Sequence, residues 1–189
     1  MRRLLPVVTA ALVLLVGCSD DDPEPRIAPT DSSSAASTTA PPPSPTGPVE
    51  PTLPAEAAGE DAAAAEAFVR FYWEMANYAQ ATGDVGGLRR LAAPSCAACV
   101  AAADFVEGVY RDGGRITGGE ASTSGFESTK LGSASDFTVQ VKVLLDNRAQ
   151  TVDRAGAKDD ERFPADRVRA NFVLERASAG WVVSFWEAS

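Results

Sequence analysis

The sequence predicts an α+β fold: three N-terminal helices packed on an antiparallel sheet. Two observations carry it. Between Glu60 and Arg111 the apolar residues recur at three and four, the period of a helix. From Phe137 onwards they alternate at two, the period of a half-buried strand. Helices grouped ahead of strands are an α+β order and not βαβ.

The chain opens with Arg2 and Arg3, then an apolar run from Leu4 to Val16 interrupted only by Pro6 and Thr9. That is the charged region and apolar core of an export signal. At thirteen residues it falls short of the roughly twenty needed to span a bilayer. It ends in Leu15-Val16-Gly17-Cys18, which resembles the lipobox of bacterial lipoproteins. The resemblance implies that residues 1–17 are removed and that Cys18 receives a diacylglycerol. Two acyl chains, at about 0.8 kcal/mol per buried CH₂, anchor stably where one does not. The expected location is the cell membrane, lipid-anchored on its extracytoplasmic face.

Residues 18–58 hold ten of the thirteen prolines, with "DSSSAASTTAPPPSPTGP" at their centre and no apolar period. Such a segment buries too little to offset its ordering entropy and reads as a disordered acidic tether. It reaches roughly 120 Å if fully polyproline-like and about 35 Å as a flexible coil. Removal of Arg2 and Arg3 takes the formal charge from −9 to −11; seven acids against Arg26 put −6 on the tether and leave −5 on the domain. Neither part carries the basic footprint of a nucleic-acid binder, so no nucleic acid is expected as a partner.

Residues 59–189 are enough for one domain with a real core. In the first helix Phe68, Phe71, Tyr72, Met75, Tyr78 and Ala79 form the apolar stripe; Glu60 and Asp61 suit its start and Gly83 its end. Trp73 falls opposite this stripe and reads as exposed. Asp84 caps a short second helix over "DVGGLRRLAA". Ser95 is the expected cap of a third helix, from Cys96 to about Arg111. It would face the core with Val100, Ala103, Phe105 or Val106, and Val109 or Tyr110.

"RITGGEASTSGFESTKLGS" reads as one or two polar, glycine-rich strands at an edge. "DFTVQVKVLLD" turns Phe137, Val139, Val141, Val143 and Leu145 to one face. "RVRANFVLER" does the same with Val168, Ala170, Phe172 and Leu174. "GWVVSFWEA" follows across the Ser178–Gly180 turn, so the last two strands form a hairpin. Strict alternation allows only one of Trp181 and Trp186 to face inward. Arg148 to Asp166 reads as a charged connection.

The first helix ending in Gly83-Asp84, with Leu88 after three residues, then a third helix and a sheet, resembles the nuclear transport factor two-like, or cystatin-like, cone. The whole chain, with its Pro-rich tether, "NYAQATGD" and "CAAC", is similar to a family of actinobacterial lipoproteins of unknown function. The resemblance implies a strongly curved sheet and a helix-lined cone, often with an apolar pocket, in a superfamily that holds enzymes, transport factors and non-catalytic modules.

No histidine occurs in the sequence. This removes Ser–His and Cys–His nucleophile pairs, imidazole metal ligands and an imidazole base. Steroid-isomerase-like relatives pair a first-helix tyrosine with pocket aspartates, and Tyr72 is placed for that role. Asp104, Asp112 and Asp136 all fall at polar or boundary positions, however, so Tyr72 reads better as a core aromatic.

With Cys18 acylated, Cys96 and Cys99 remain, outside the cytosol, where disulfides persist. Two thiolates fall short of a zinc site, and the pair follows a helix, not the strand of a thioredoxin-like motif. A local disulfide worth roughly 2 kcal/mol is the main reading; a helix-start position that lowers a thiol pKa keeps redox activity as the alternative.

The function expected from these residues is a non-catalytic binding or scaffold module, displayed on the cell envelope without cofactor or metal. Its partners would be the membrane, through the lipid, and an envelope protein or small ligand. The alternative is a small-molecule pocket or isomerase-like site built around Tyr72 and Tyr78.

Overall fold

The structure, a computed structural model, describes residues 47–132 and 137–189. The export signal, Cys18, the tether up to residue 46 and Asp136 lie outside the described residues. Helix α1 spans Ala62–Thr82. It starts where Asp61 Oδ1 accepts from the Ala64 N–H at 2.8 Å, which satisfies one of the first-turn donors. It stops at Gly83, left-handed at φ 81°, whose N–H donates to Ala79 O at 2.8 Å. Only glycine fits there, because a Cβ would sit 2.5 Å from the Tyr110 ring.

Helix α2 is one short turn, Gly86–Arg90. Asp84 supports it as expected, accepting from the Gly86 N–H at 2.9 Å, although Val85 occupies the cap position. Helix α3 runs Ala97–Arg111, and its cap is Cys96, not Ser95. The disulfide to Cys99 folds the Cys96 sulfur over the first turn, where it accepts from the Cys99 N–H at 3.3 Å. Val100, expected in the core, is exposed instead; Ala103 is buried as expected, and of the α3 alternatives Val106 and Val109 are buried while Phe105 faces outward.

The strands are β1 (Arg115–Gly118), β2 (Ala121–Lys130), β3 (Thr138–Asn147), β4 (Gln150–Asp153), β5 (Glu161–Phe163), β6 (Asp166–Ala177) and β7 (Gly180–Ala188). They form an antiparallel four-stranded sheet, β2-β3-β6-β7, and a three-stranded one, β1-β4-β5. The registers show that the second sheet continues the first. Gly118 pairs with Gln150 and Ala121 with Asn147; Gln150 pairs with Phe163 and Asn147 with Asp166. Three neighbouring ribbons therefore bend along one line: Gly119-Glu120, Arg148-Ala149 and Pro164-Ala165. Two bonds bridge the bend, Gly119 N–H to Ala149 O at 3.1 Å and Arg148 N–H to Glu120 O at 3.0 Å. Gly118 and Gly119, at φ 72° and 79°, supply backbone that other residues rarely adopt.

The expected irregular connection from Arg148 to Asp166 thus contains two strands. They carry almost no apolar signal: β4 buries only Val152, and β5 is exposed throughout. The glycine-rich segment does give two edge strands, β1 and β2.

The core lies between α1 and the concave face of the longer sheet. Phe68, Tyr72 and Met75 meet Val139, Val141, Val143, Leu145, Phe172 and Leu174. Two tryptophan expectations need correction. Trp181 is buried and Trp186 also packs on the core. The reason is a bulge in β7: Leu174 pairs with Val183 and Val173 with Phe185, so Ser184 is the extra residue and shifts the alternation by one. Its hydroxyl donates to Val173 O at 3.2 Å. Trp73, expected on the exposed face, packs edge-on against Phe172 and Trp186 at 6.3 and 5.8 Å, because the curved sheet wraps further around α1 than a flat one would.

The boundary drawn after Ala58 also moves. Ala55–Ala58 form a single 3₁₀ turn, and Ala57 is buried in the core. The Ala58 and Gly59 carbonyls accept from Arg176, at 3.0 and 3.2 Å, and Gly59 O accepts from Trp181 Nε1 at 2.9 Å. The last part of the segment read as tether therefore packs on the domain.

Candidate functional site

The bend in the sheet leaves a gap between its backbone and α1, and polar side chains line it. Trp73, Asn77 and Gln80 stand four and three residues apart, so one stripe of α1 faces the bend. Asn77 clamps the first residue of β2: its Nδ2 donates to Ala121 O and its Oδ1 accepts from Ala121 N–H, both at 2.9 Å. This satisfies main-chain groups that the bend takes out of the ladder. Gln150 Nε2 donates to Gln80 Oε1. The Tyr110 hydroxyl donates to Gln80 O at 2.6 Å and ties α3 to the same place. Gly119 suits this place because its φ of 79° strains any other residue, and a Cβ would also push on the Gln150 side chain.

Three adjacent clefts result. One, of about 460 Å³, lies between Asn77, Gln80 and Tyr110 on the helices and β1 with Arg115 and Glu120 at its rim. A second, of about 270 Å³, sits in the bend itself between Trp73 and Gln80, Gln150, Arg148, Phe163 and Asp166. It shares Gln80 with the first. A third and shallower one, of about 550 Å³, shares Asn147, Arg148 and Asp166 with the second. Asn147 Nδ2 donates to Asp166 Oδ1 at 2.8 Å, which fixes both side chains at the junction.

The interior beside these clefts is filled. Tyr72, Trp73, Phe172 and Trp186 make a continuous aromatic cluster; Phe172 and Trp186 are stacked with centroids 5.9 Å apart. Tyr72 is 2% exposed, and burial pushes its phenol well above the ordinary value. Tyr78 is half-buried against the core. Neither lines any of these clefts, so the two tyrosines do not form the pocket expected of them. No acidic side chain is buried beside Tyr72 among the described residues, and no three of their Cys, Asp or Glu side chains come together as metal ligands. Two indole N–H groups, of Trp73 and Trp186, are shielded and lack a protein partner among the described residues.

Cys96 and Cys99 form a disulfide with Cα atoms 5.3 Å apart. Both residues are buried, at 1% and 3% exposure. Reactive cysteines are partly exposed; these two fasten the α2–α3 junction and stand apart from the clefts. Sequence reasoning missed the clefts altogether. The available signal was the turn chemistry of Gly118-Gly119 opposite Arg148-Ala149, which marks a bend but names no ligand.

The architecture defines an α+β class in which a long helix lies across the concave face of a bent antiparallel sheet. The intermembrane-space region of the chloroplast protein ARC6 is similar, with a TM-score of 0.53 and 11% identity over 68% of this chain and 95% of that one. Looser likenesses are a protein with a cystatin-like fold from Caulobacter vibrioides, TM-score 0.47 and 13% identity over 69% and 89% of the two chains, and an NTF2-like protein from Novosphingobium aromaticivorans, TM-score 0.37 and 14% identity over 65% and 79%. At 11% identity the likeness to the ARC6 region is one of fold and implies no chemistry. No curated protein matches the chain in sequence. The chain belongs to the family of unknown function DUF6318, whose profile matches residues 35–186.

Proposed function

We propose that this protein is a non-catalytic binding module of the cell envelope, tethered through a lipid on Cys18, with its ligand-facing end at the bend of the sheet. One observation carries the reading. The aromatic cluster fills the interior that an enzyme pocket would need, whereas the bend opens a series of polar clefts at the surface. An isomerase-like site around Tyr72 would need a carboxylate beside it, and among the described residues none is buried there. The lipobox at Leu15–Cys18 supports the anchor, and the proline-rich segment after it supports a spacer.

The test is photo-crosslinking in live bacteria that process lipoproteins. A photoreactive residue at position 163, in the cleft, is expected to yield adducts; one at position 105, on the outer face of α3, is expected to yield none. Equal capture from both positions, or none from 163, would remove the assignment of the binding end. Metabolic labelling with fatty acid tests the anchor separately: label should enter the protein and be abolished by Cys18→Ala.

A further inference from the structure

We infer that the track formed by the bend is a site for a neutral oligosaccharide segment; this rests on the binding-end reading and names its ligand class. The charges argue first. Arg148 and Asp166 face the same cleft, as do Arg115 and Glu120 in its neighbour. An anion would meet a carboxylate in each and a cation would meet a guanidinium, so charge selects a neutral ligand.

The hydrogen-bonding groups narrow it further. Gln80, Gln150, Asn147, Asp166 and Arg148 offer donors and acceptors side by side on planar groups. The Gln80–Gln150 and Asn147–Asp166 pairs leave further donors and acceptors free; a ligand dense in hydroxyls, each of which donates and accepts, satisfies them, and an apolar ligand would not. Phe163 supplies the third element. It lies on edge strand β5, is 45% exposed, and lines the same cleft. A pyranose presents an apolar C–H face to a ring and hydroxyls around its rim.

Size and continuity point to a chain of sugars. The central cleft, about 270 Å³, lies near the low end of the roughly 300–1,000 Å³ that holds small ligands. It adjoins a cleft on each side, sharing Gln80 with one of about 460 Å³ and Asn147, Arg148 and Asp166 with one of about 550 Å³. A linear oligomer would place one ring on Phe163 and its neighbours to either side.

The experiment is calorimetric titration of the purified full-length protein with three probes: a β-1,4-linked N-acetylglucosamine tetramer, an α-1,4-linked glucose tetramer and an alanine tetrapeptide. Saturable binding of at least one tetrasaccharide is expected, with a change in tryptophan fluorescence. Phe163→Ala and Asp166→Ala should each weaken it about tenfold, with unchanged circular dichroism, and Phe105→Ala should leave it intact. Absence of saturable binding by either sugar at millimolar concentration overturns the inference. So does binding of the peptide alone, or sugar binding that both cleft variants leave unaltered. If both sugars fail while position 163 still crosslinks in cells, the ligand class falls and the binding end stands; if both experiments fail, both fall.

Discussion

Ser184 decides which side of β7 its last residues face. Because it is the extra residue of the bulge, Trp186 stacks on Phe172 while Phe185 points outward at 45% exposure. Trp186→Ala should therefore cost about 3–5 kcal/mol, the usual range for emptying a packed aromatic site. Phe185→Ala should stay within about 0.5 kcal/mol. Denaturant unfolding of the two variants measures both, and a reversed order would show that the bulge is misplaced. The same residue explains why strict alternation failed in the sequence. The apolar letters of "GWVVSFWEA" were legible; a one-residue slip inside them has no compositional mark. The Cys96–Cys99 disulfide was legible as the main reading because two cysteines without a histidine fall short of a zinc site, although redox exchange stood as the alternative. Reduction should lower stability by roughly 2 kcal/mol and the melting temperature by several degrees without unfolding the domain. Loss of the fold on reduction, or no shift in calorimetry, would contradict that role.

At the scale of elements, the three helices and the strands β3 and β6 were readable because each buries one face, and β7 because its apolar letters are dense despite the bulge. Val139, Val141, Val143 and Leu145 alternate without error, and all are buried. Strands β4 and β5 were not readable because pairing with their neighbours, not burial, makes them strands. The clefts share that cause: a bend at Gly118-Gly119 brings together Gln80, Gln150 and Asp166, which are remote in sequence and polar, so no period links them. The N-terminal edge of the domain gives a sharper test. Ala57 is buried, and the carbonyls of Ala58 and Gly59 accept from Arg176 and Trp181. Limited proteolysis should therefore leave a core that starts ahead of Ala55. A chain shortened to begin at Glu60 should be about 1–3 kcal/mol less stable than one beginning at Gly47, from the stranded Trp181 N–H and the Arg176 donors. Equal stability of the two would return residues 47–58 to the tether.

For the domain as a whole, a filled interior beside a polar bend is a division of labour. The aromatic cluster holds α1 on the sheet, and the bend exposes side chains whose positions are fixed by Asn77, Tyr110 and the Gln80–Gln150 pair. Such pre-ordered groups bind at a lower entropic cost than mobile ones. The central claim is that ligand meets the bend and not the interior. Nuclear magnetic resonance of the isotope-labelled protein, titrated with a solubilised cell-envelope fraction, tests it most directly. The side-chain amide signals of Gln80, Asn147 and Gln150 should shift together while the ring signals of Tyr72 and Phe172 stay in place. Shifts confined to those interior rings, or to the outer face of the sheet around Val173 and Phe185, would contradict it.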